Sequence, residues 1–190
     1  MAGCRTLPDP CETPEADPPS REESENVKVV GQFIDTVWNT EWSDEDTATM
    51  LAERSRGNAA FVPRAIEDGL STLRNPGSVR HRRDRAGKPI KSSGPDDYRT
   101  CVNAVHMVAQ DLRIEVLDMI TCDNIVVVQM FLRGTDRRAD GRKDLPGAFG
   151  TLPPTGQRFR MQTSVLFQLH GGRIIRDKLV YGAPLIYETS

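Results

Sequence analysis

No run of residues in this 190-residue chain is apolar over the ~20 positions that a membrane-spanning helix needs, so a helical membrane protein is excluded. A strong net charge is missing too. Lys and Arg total 25 and Asp and Glu total 27, leaving −2, which gives no global pull towards nucleic acid or an anionic membrane. Cysteine is scarce. The four (Cys4, Cys11, Cys101, Cys122) show neither a Cys-x-x-Cys spacing nor a partnered His, so neither a disulfide framework nor a metal site is expected. Cys101 and Cys122 read as small buried residues. Residues 1–20 lack the apolar core of a secretory signal, which points to a cytoplasmic protein. They carry Pro8, Pro10, Pro14, Pro18 and Pro19 among acids instead, the composition of a disordered leader over residues 1–22.

What is present fits one domain over 23–190. Ser20 and Glu23 have the spacing of a capping box. After them Val27, Val30, Phe33, Ile34, Val37 and Trp38 recur at helical intervals and make one apolar stripe. Ser43 and Asp46 open a second, short helix running to about Glu53. Trp38 and Trp42 flank the turn between the two, where core packing competes with a pocket-wall role for Trp38. Residues 54–94 carry weaker signals. Ala59–Val62 suits a short strand and Ala65–Leu73 a helix. Arg80–Arg85 with Lys88–Ser93 reads as a basic mobile loop spanning 80–94. With no aromatic residue interleaved, this run is a solvated loop rather than a nucleic-acid site. Its length also suits a lid.

Gly94 and Pro95 start another helix, with the proline in the first turn. Tyr98, Val102, Val105, Ala109 and Leu112 form its buried stripe, and His106 sits beside that stripe. The period then changes. Arg113–Met119 and the β-branched run Ile125–Arg133 read as strands around a Thr121–Asn124 turn. A loop over 134–156 leads to the last hairpin, in which Gly171 and Gly172 reverse the chain between two alternating runs.

A two-residue turn at those glycines fixes a register. His170 pairs with Arg173, Leu166 with Asp177, and Ser164 with Leu179. Gln162, Ser164, Leu166, Asp177, Leu179 and Tyr181 then share a face. An acid, a phenol, an amide and a hydroxyl among aliphatic groups suit a pocket wall. They equally suit a solvent-exposed sheet face.

In this order of elements the chain resembles the SnoaL-like polyketide cyclases, or ester cyclases, of the nuclear-transport-factor-2-like superfamily. The resemblance spans about residues 26–182 and rests on particular residues: Gly94–Asp97 opening a helix, then Asp111–Val116, Asp123–Val128 and Gly134-Thr135, then Leu152–Gly156 and Gly172–Ile175. It implies an α+β cone, in which a curved antiparallel sheet wraps around N-terminal helices and encloses an apolar pocket. It also implies a homodimer that uses no metal or organic cofactor. Many such proteins carry their strand acid two residues further on, where this chain has Leu179. They often have Gly-Thr-His where this chain has Gly134, Thr135 and Asp136.

Two functional readings follow. In the first the chain is an enzyme on a small, largely apolar, oxygenated metabolite, a polyketide or terpenoid. Asp177 is the general acid/base, with Tyr181 and His106 as catalytic partners. Trp38, Gln162, Ser164, Leu166 and Leu179 bind the substrate. The reaction is a cyclisation, isomerisation or dehydration through an enol-like intermediate. An epoxide hydrolase needs two carboxylates bridged by an Arg, and only one acid falls on the presumed cavity face. In the second reading the cone only binds a ligand or a partner protein.

Overall fold

Why the chain forms four helices and a seven-stranded sheet can be followed from its local signals. The computed structural model describes residues 18–83, 89–137, 155–182 and 186–187. Residues 1–17 of the leader and most of the 134–156 loop therefore lie outside the described residues, while Arg21 and Glu22, read as the end of the leader, already belong to the first helix because Ser20 caps it. Ser20 caps α1 (Arg21–Phe33) with the anticipated reciprocal bonds to Glu23, and a π-helical turn, Ile34–Trp38, extends it. Ser43 and Asp46 repeat the device at α2 (Asp44–Ser55). Next come α3 (Arg64–Leu73) and α4 (Pro95–His106).

The strands are β1 (Arg74–Arg83), β2 (Pro89–Ser93), β3 (Arg113–Cys122), β4 (Ile125–Thr135), β5 (Arg158–His170), β6 (Arg173–Gly182) and the short β7 (Ile186–Tyr187). The sheet order is β2-β1-β6-β5-β4-β3, with β7 on β5. The basic stretch read as a loop therefore forms most of a hairpin, in which β1 pairs antiparallel with β2. Residues 59–62 form no strand. They run from a turn into an irregular segment before α3. Cys101 is buried as expected, but Cys122 is exposed at the end of β3.

The sheet is mixed rather than wholly antiparallel, because β1 runs parallel to β6. A parallel neighbour needs a long crossover, and here everything from β2 to β5 supplies it. The concave face of the sheet closes over α1, α3 and α4. Phe33, Ile34 and Val37 meet Ile66 and Leu70, Val102 and Val105, and the inward residues Val126, Val128, Phe167 and Leu169. Helix α4 is buried all round from Cys101 to His106, the pattern of a central helix rather than a surface one.

The last hairpin decides where the chemistry falls. Gly171 and Gly172 have φ of 56° and 70°, the left-handed pair that such a turn requires, and His170 does pair with Arg173. Beyond Leu169–Ile174 the register then shifts. Ile175 is an extra residue, so Gln168 pairs with Arg176, Phe167 with Asp177 and Leu166 with Lys178. A second shift lies between Val165–Leu179 and Ser164–Tyr181. Each bulge moves one residue's worth of chain and exchanges the faces beyond it.

Candidate functional site

The first bulge turns Asp177 inward. Opposite Phe167 it joins the concave face and is 3% exposed, although the unbulged register places it beside Leu166. Gln162, Ser164 and Leu166 are half-buried on the alternate side of β5 and do not share its face. Leu179 faces Val165 yet remains 54% exposed. Tyr181 pairs with Ser164 through the backbone, and its side chain lies outside the described residues.

What Asp177 meets inside is Arg74. Nη1 of Arg74 is 2.7 Å from Oδ1 of Asp177, and both side chains are almost wholly buried. These two atoms fall outside hydrogen-bond alignment, so the contact is an ion pair and not an oriented hydrogen bond. The parallel pairing of β1 with β6 brings the two together across 103 residues of chain, with Arg74 opposite Ile174. Between Arg74 and Val79 the β1 register slips, and the slipped segment returns Ser78, whose Oγ accepts from Nε of Arg74 at 3.2 Å.

Aromatic residues complete the enclosure. The Arg74 guanidinium lies 4.1 Å from the Tyr98 ring centroid and 5.7 Å from that of Phe33. The indole N–H of Trp38 donates to the Tyr98 hydroxyl oxygen at 3.0 Å. Trp38 thus reaches the site through Tyr98. Burying either side chain alone in this apolar setting would be costly, and the pairing offsets that cost.

A cavity of about 140 Å³ reaches this centre, with Leu70, Arg74, Pro76, Ser78 and Tyr98 among its walls. It is small against the roughly 300–1,000 Å³ usual for ligand pockets. At its rim Arg99 ties α4 to α3. Nε donates to Glu67 at 2.6 Å, a second bond joins the same carboxylate, and Nη1 reaches Asp96 at 2.6 Å.

His106 lies elsewhere. It is 1% exposed at the end of α4 and stacks on Trp42, with centroids 4.8 Å apart and planes at 21°. Burial, and secondarily the Arg113 charge, push its pKa down to about 4. Its stacking partner is Trp42, whereas the ion-pair partner of Asp177 is Arg74. Among the described residues no group of three or more His, Cys, Asp and Glu side chains is placed to hold a metal.

Arg74 and Tyr98 are the site residues that sequence reasoning missed. Ile66, Leu70 and Arg74 fall at four-residue intervals, so Arg74 continues the buried stripe of α3. An arginine at a stripe position calls for a buried carboxylate, and that signal was available. Tyr98 was visible only as a core residue.

The family model described as SnoaL-like polyketide cyclase matches residues 77–182. No curated protein sequence matches the chain. Among solved structures, a candidate SnoaL-like polyketide cyclase from Jannaschia sp. CCS1 superposes with a TM-score of 0.61 at 18% identity, covering 88% of this chain and 91% of that one. AclR, a candidate hydroxylase from Streptomyces galilaeus, gives 0.51 at 13% identity over 87% of this chain and 90% of its own. A candidate polyketide cyclase from Acidithiobacillus ferrooxidans gives 0.51 at 14% over 82% and 87%. At these identities the likeness is one of fold, the nuclear-transport-factor-2-like cone. No described helix is long and apolar enough to cross a membrane.

Proposed function

This chain belongs to the SnoaL-like polyketide cyclase family, and from that premise we propose that it is a cofactor-independent acid/base enzyme acting on a small, apolar, oxygenated metabolite, a polyketide or terpenoid. The observation that carries the reading is the buried Arg74–Asp177 pair, whose Arg74 lines a cavity together with Leu70 and Tyr98. In this reading Asp177 removes a proton α to a carbonyl. Arg74 pairs with Asp177 beforehand and offsets the enolate charge afterwards. Trp38 fixes the Tyr98 oxygen beside them. The enolate then closes a ring, returns its proton at another carbon, or expels a hydroxyl.

Wild type and Asp177→Asn, both checked for folding by circular dichroism, would be screened on a panel of polyketide and terpenoid ketones, lactones and epoxides. Turnover by wild type and a loss of at least ~100-fold in the folded variant are expected. Equal turnover by both would sink the assignment of Asp177.

A second reading is favoured by the small cavity and by the exposed Leu179 at the position where related chains carry an acid. In it the cone binds a ligand or partner without converting it. Binding of panel members with no turnover would select it. For either reading we propose a homodimer joined through the outer sheet face, where Ile120, Val127 and Leu166 form one apolar row across three strands. Sedimentation showing a monomer at micromolar concentration would remove that part.

A further inference from the structure

Four polar atoms in the cluster formed by α4 and the turn after the π-helical segment are buried and have no hydrogen-bond partner among the described residues. They are Nε1 of Trp42, both ring nitrogens of His106, and Oδ1 of Asn103. Asn103 and His106 are three residues apart and neighbours on one helix surface. The other end of the Asn103 amide is already committed, since Nδ2 donates to the Phe61 carbonyl at 2.8 Å. Trp42 and His106 are nearly parallel and stacked, which puts two nitrogen-bearing rings in direct contact. Asn103, His106 and Trp42 are 0%, 1% and 9% exposed, which removes bulk solvent as the partner. Buried polar groups are almost always satisfied, and a cluster of unsatisfied ones needs a specific explanation.

The kind of partner follows from donor and acceptor counting. A neutral imidazole offers one donor and one acceptor, an indole a donor only, and the remaining Asn103 atom an acceptor only. The three side chains therefore offer two donors and two acceptors. An anion would satisfy the donors and leave the acceptors stranded, and a metal cation would be met by two N–H donors beside only two ligand atoms. A hydroxylic oxygen satisfies both kinds. Burial of His106 works in the same direction, because it keeps the ring neutral at physiological pH.

We propose that Trp42, Asn103 and His106 form an internal binding site for a neutral hydroxyl-bearing guest, separate from the Arg74–Asp177 centre. The oxygen comes either from a resident water or from the hydroxyl of an organic ligand that reaches this end of the cone. The assignment does not depend on Asp177 being catalytic.

Nuclear magnetic resonance on the isotope-labelled full chain tests it at neutral pH. Trp42→Phe identifies the Trp42 indole signal. The Trp38 indole N–H, bonded to Tyr98, is the internal reference. Phenol is the probe and toluene its control without a hydroxyl. Cross-relaxation between the Trp42 N–H and a long-lived water would support the site and assign its guest to solvent. A shift of that signal with phenol and not with toluene would support it and assign the guest to an organic hydroxyl. His106→Phe keeps the stack and removes both ring nitrogens. It is expected to abolish the water signal or to weaken phenol about tenfold, the value of one neutral hydrogen bond. Neither signal in wild type, or a response that His106→Phe leaves unchanged, overturns the proposal.

Discussion

Two polar clusters are buried along α4, and they are stabilised by opposite means. Near the start of the helix, the Tyr98 ring lies against Arg74, which pairs with Asp177. At its last residue, His106 stacks on Trp42 with no charged group bonded to it among the described residues. The first cluster keeps its charges by pairing them. The second avoids charge, because burial drives the imidazole to its neutral form. The difference shows why a buried titratable residue cannot be given a role from its type alone. The neighbour decides whether burial leaves a charged group or a neutral one. Here Arg74 gives Asp177 a partner of opposite charge, and burial beside Trp42 leaves His106 a neutral donor and acceptor.

The sharpest way to break the contrast is to remove one charge. Asp177→Asn strands Arg74 in an apolar site and should cost about 3–5 kcal/mol of stability, read from the urea midpoint. Replacing both partners, as Arg74→Met with Asp177→Leu, should recover to within ~2 kcal/mol of wild type. A double variant as unstable as the single one would show that the pair is not an isolated unit.

The His106 end is probed by pH. Its folded pKa, near 4, lies below the ordinary 6.5, so between these values the unfolded chain takes up the proton more readily. Stability from this residue is therefore complete above about pH 6.5 and declines as pH falls towards 4, by about 3 kcal/mol in all. Comparing urea midpoints of wild type and His106→Phe from pH 7 down to 4 should show a slope in wild type that the variant lacks. Parallel profiles would mean that His106 is protonated as readily in the fold as out of it.

Gly134→Ala tests whether the two clusters are independent. A methyl there would come within 2.8 Å of the Ala109 Cβ and 3.2 Å of the Phe159 ring, so backbone must give way. A loss of about 1–3 kcal/mol is expected, with the pH slope from His106 unaltered. A changed slope would reveal coupling through Ala109, three residues beyond His106. The smallest effect belongs to Trp38→Phe. It deletes the bond to the Tyr98 oxygen and should cost about 1 kcal/mol beyond the loss of ring contacts. In an active enzyme it should lower turnover as Tyr98 loosens beside Arg74, and unchanged turnover would remove Tyr98 from the proposed site.

The α+β class was legible because its signals are local or periodic, while the cone itself came from the family resemblance. The Ser20 and Ser43 caps, the stripe from Val27 to Trp38, and the glycine pair of the last turn each specify their element within a few residues. The strands of the basic stretch were less legible. Arg80 to Arg83 alternate nothing apolar, and they form a strand because β2, and at Arg80 and His81 also β6, offers them partners. The candidate site was legible only in part. Asp177 was singled out, and its burial was reached through a register that the structure replaces. In the unbulged register it shares a face with Gln162, Ser164 and Leu166, and in the fold it does not.

By itself the sequence determined where helices begin, where the last two strands reverse, and which acid on β6 stands among apolar neighbours. Those properties depend on residues close together in the chain. Only the tertiary structure decided that Ile175 bulges, that Asp177 therefore turns inward, and that Arg74 meets it there. A bulge adds one residue without a compositional mark, and an ion pair across a parallel strand pairing depends on the packing of everything between. Local chemistry proposed the acid, and its partner was fixed by the long-range fold.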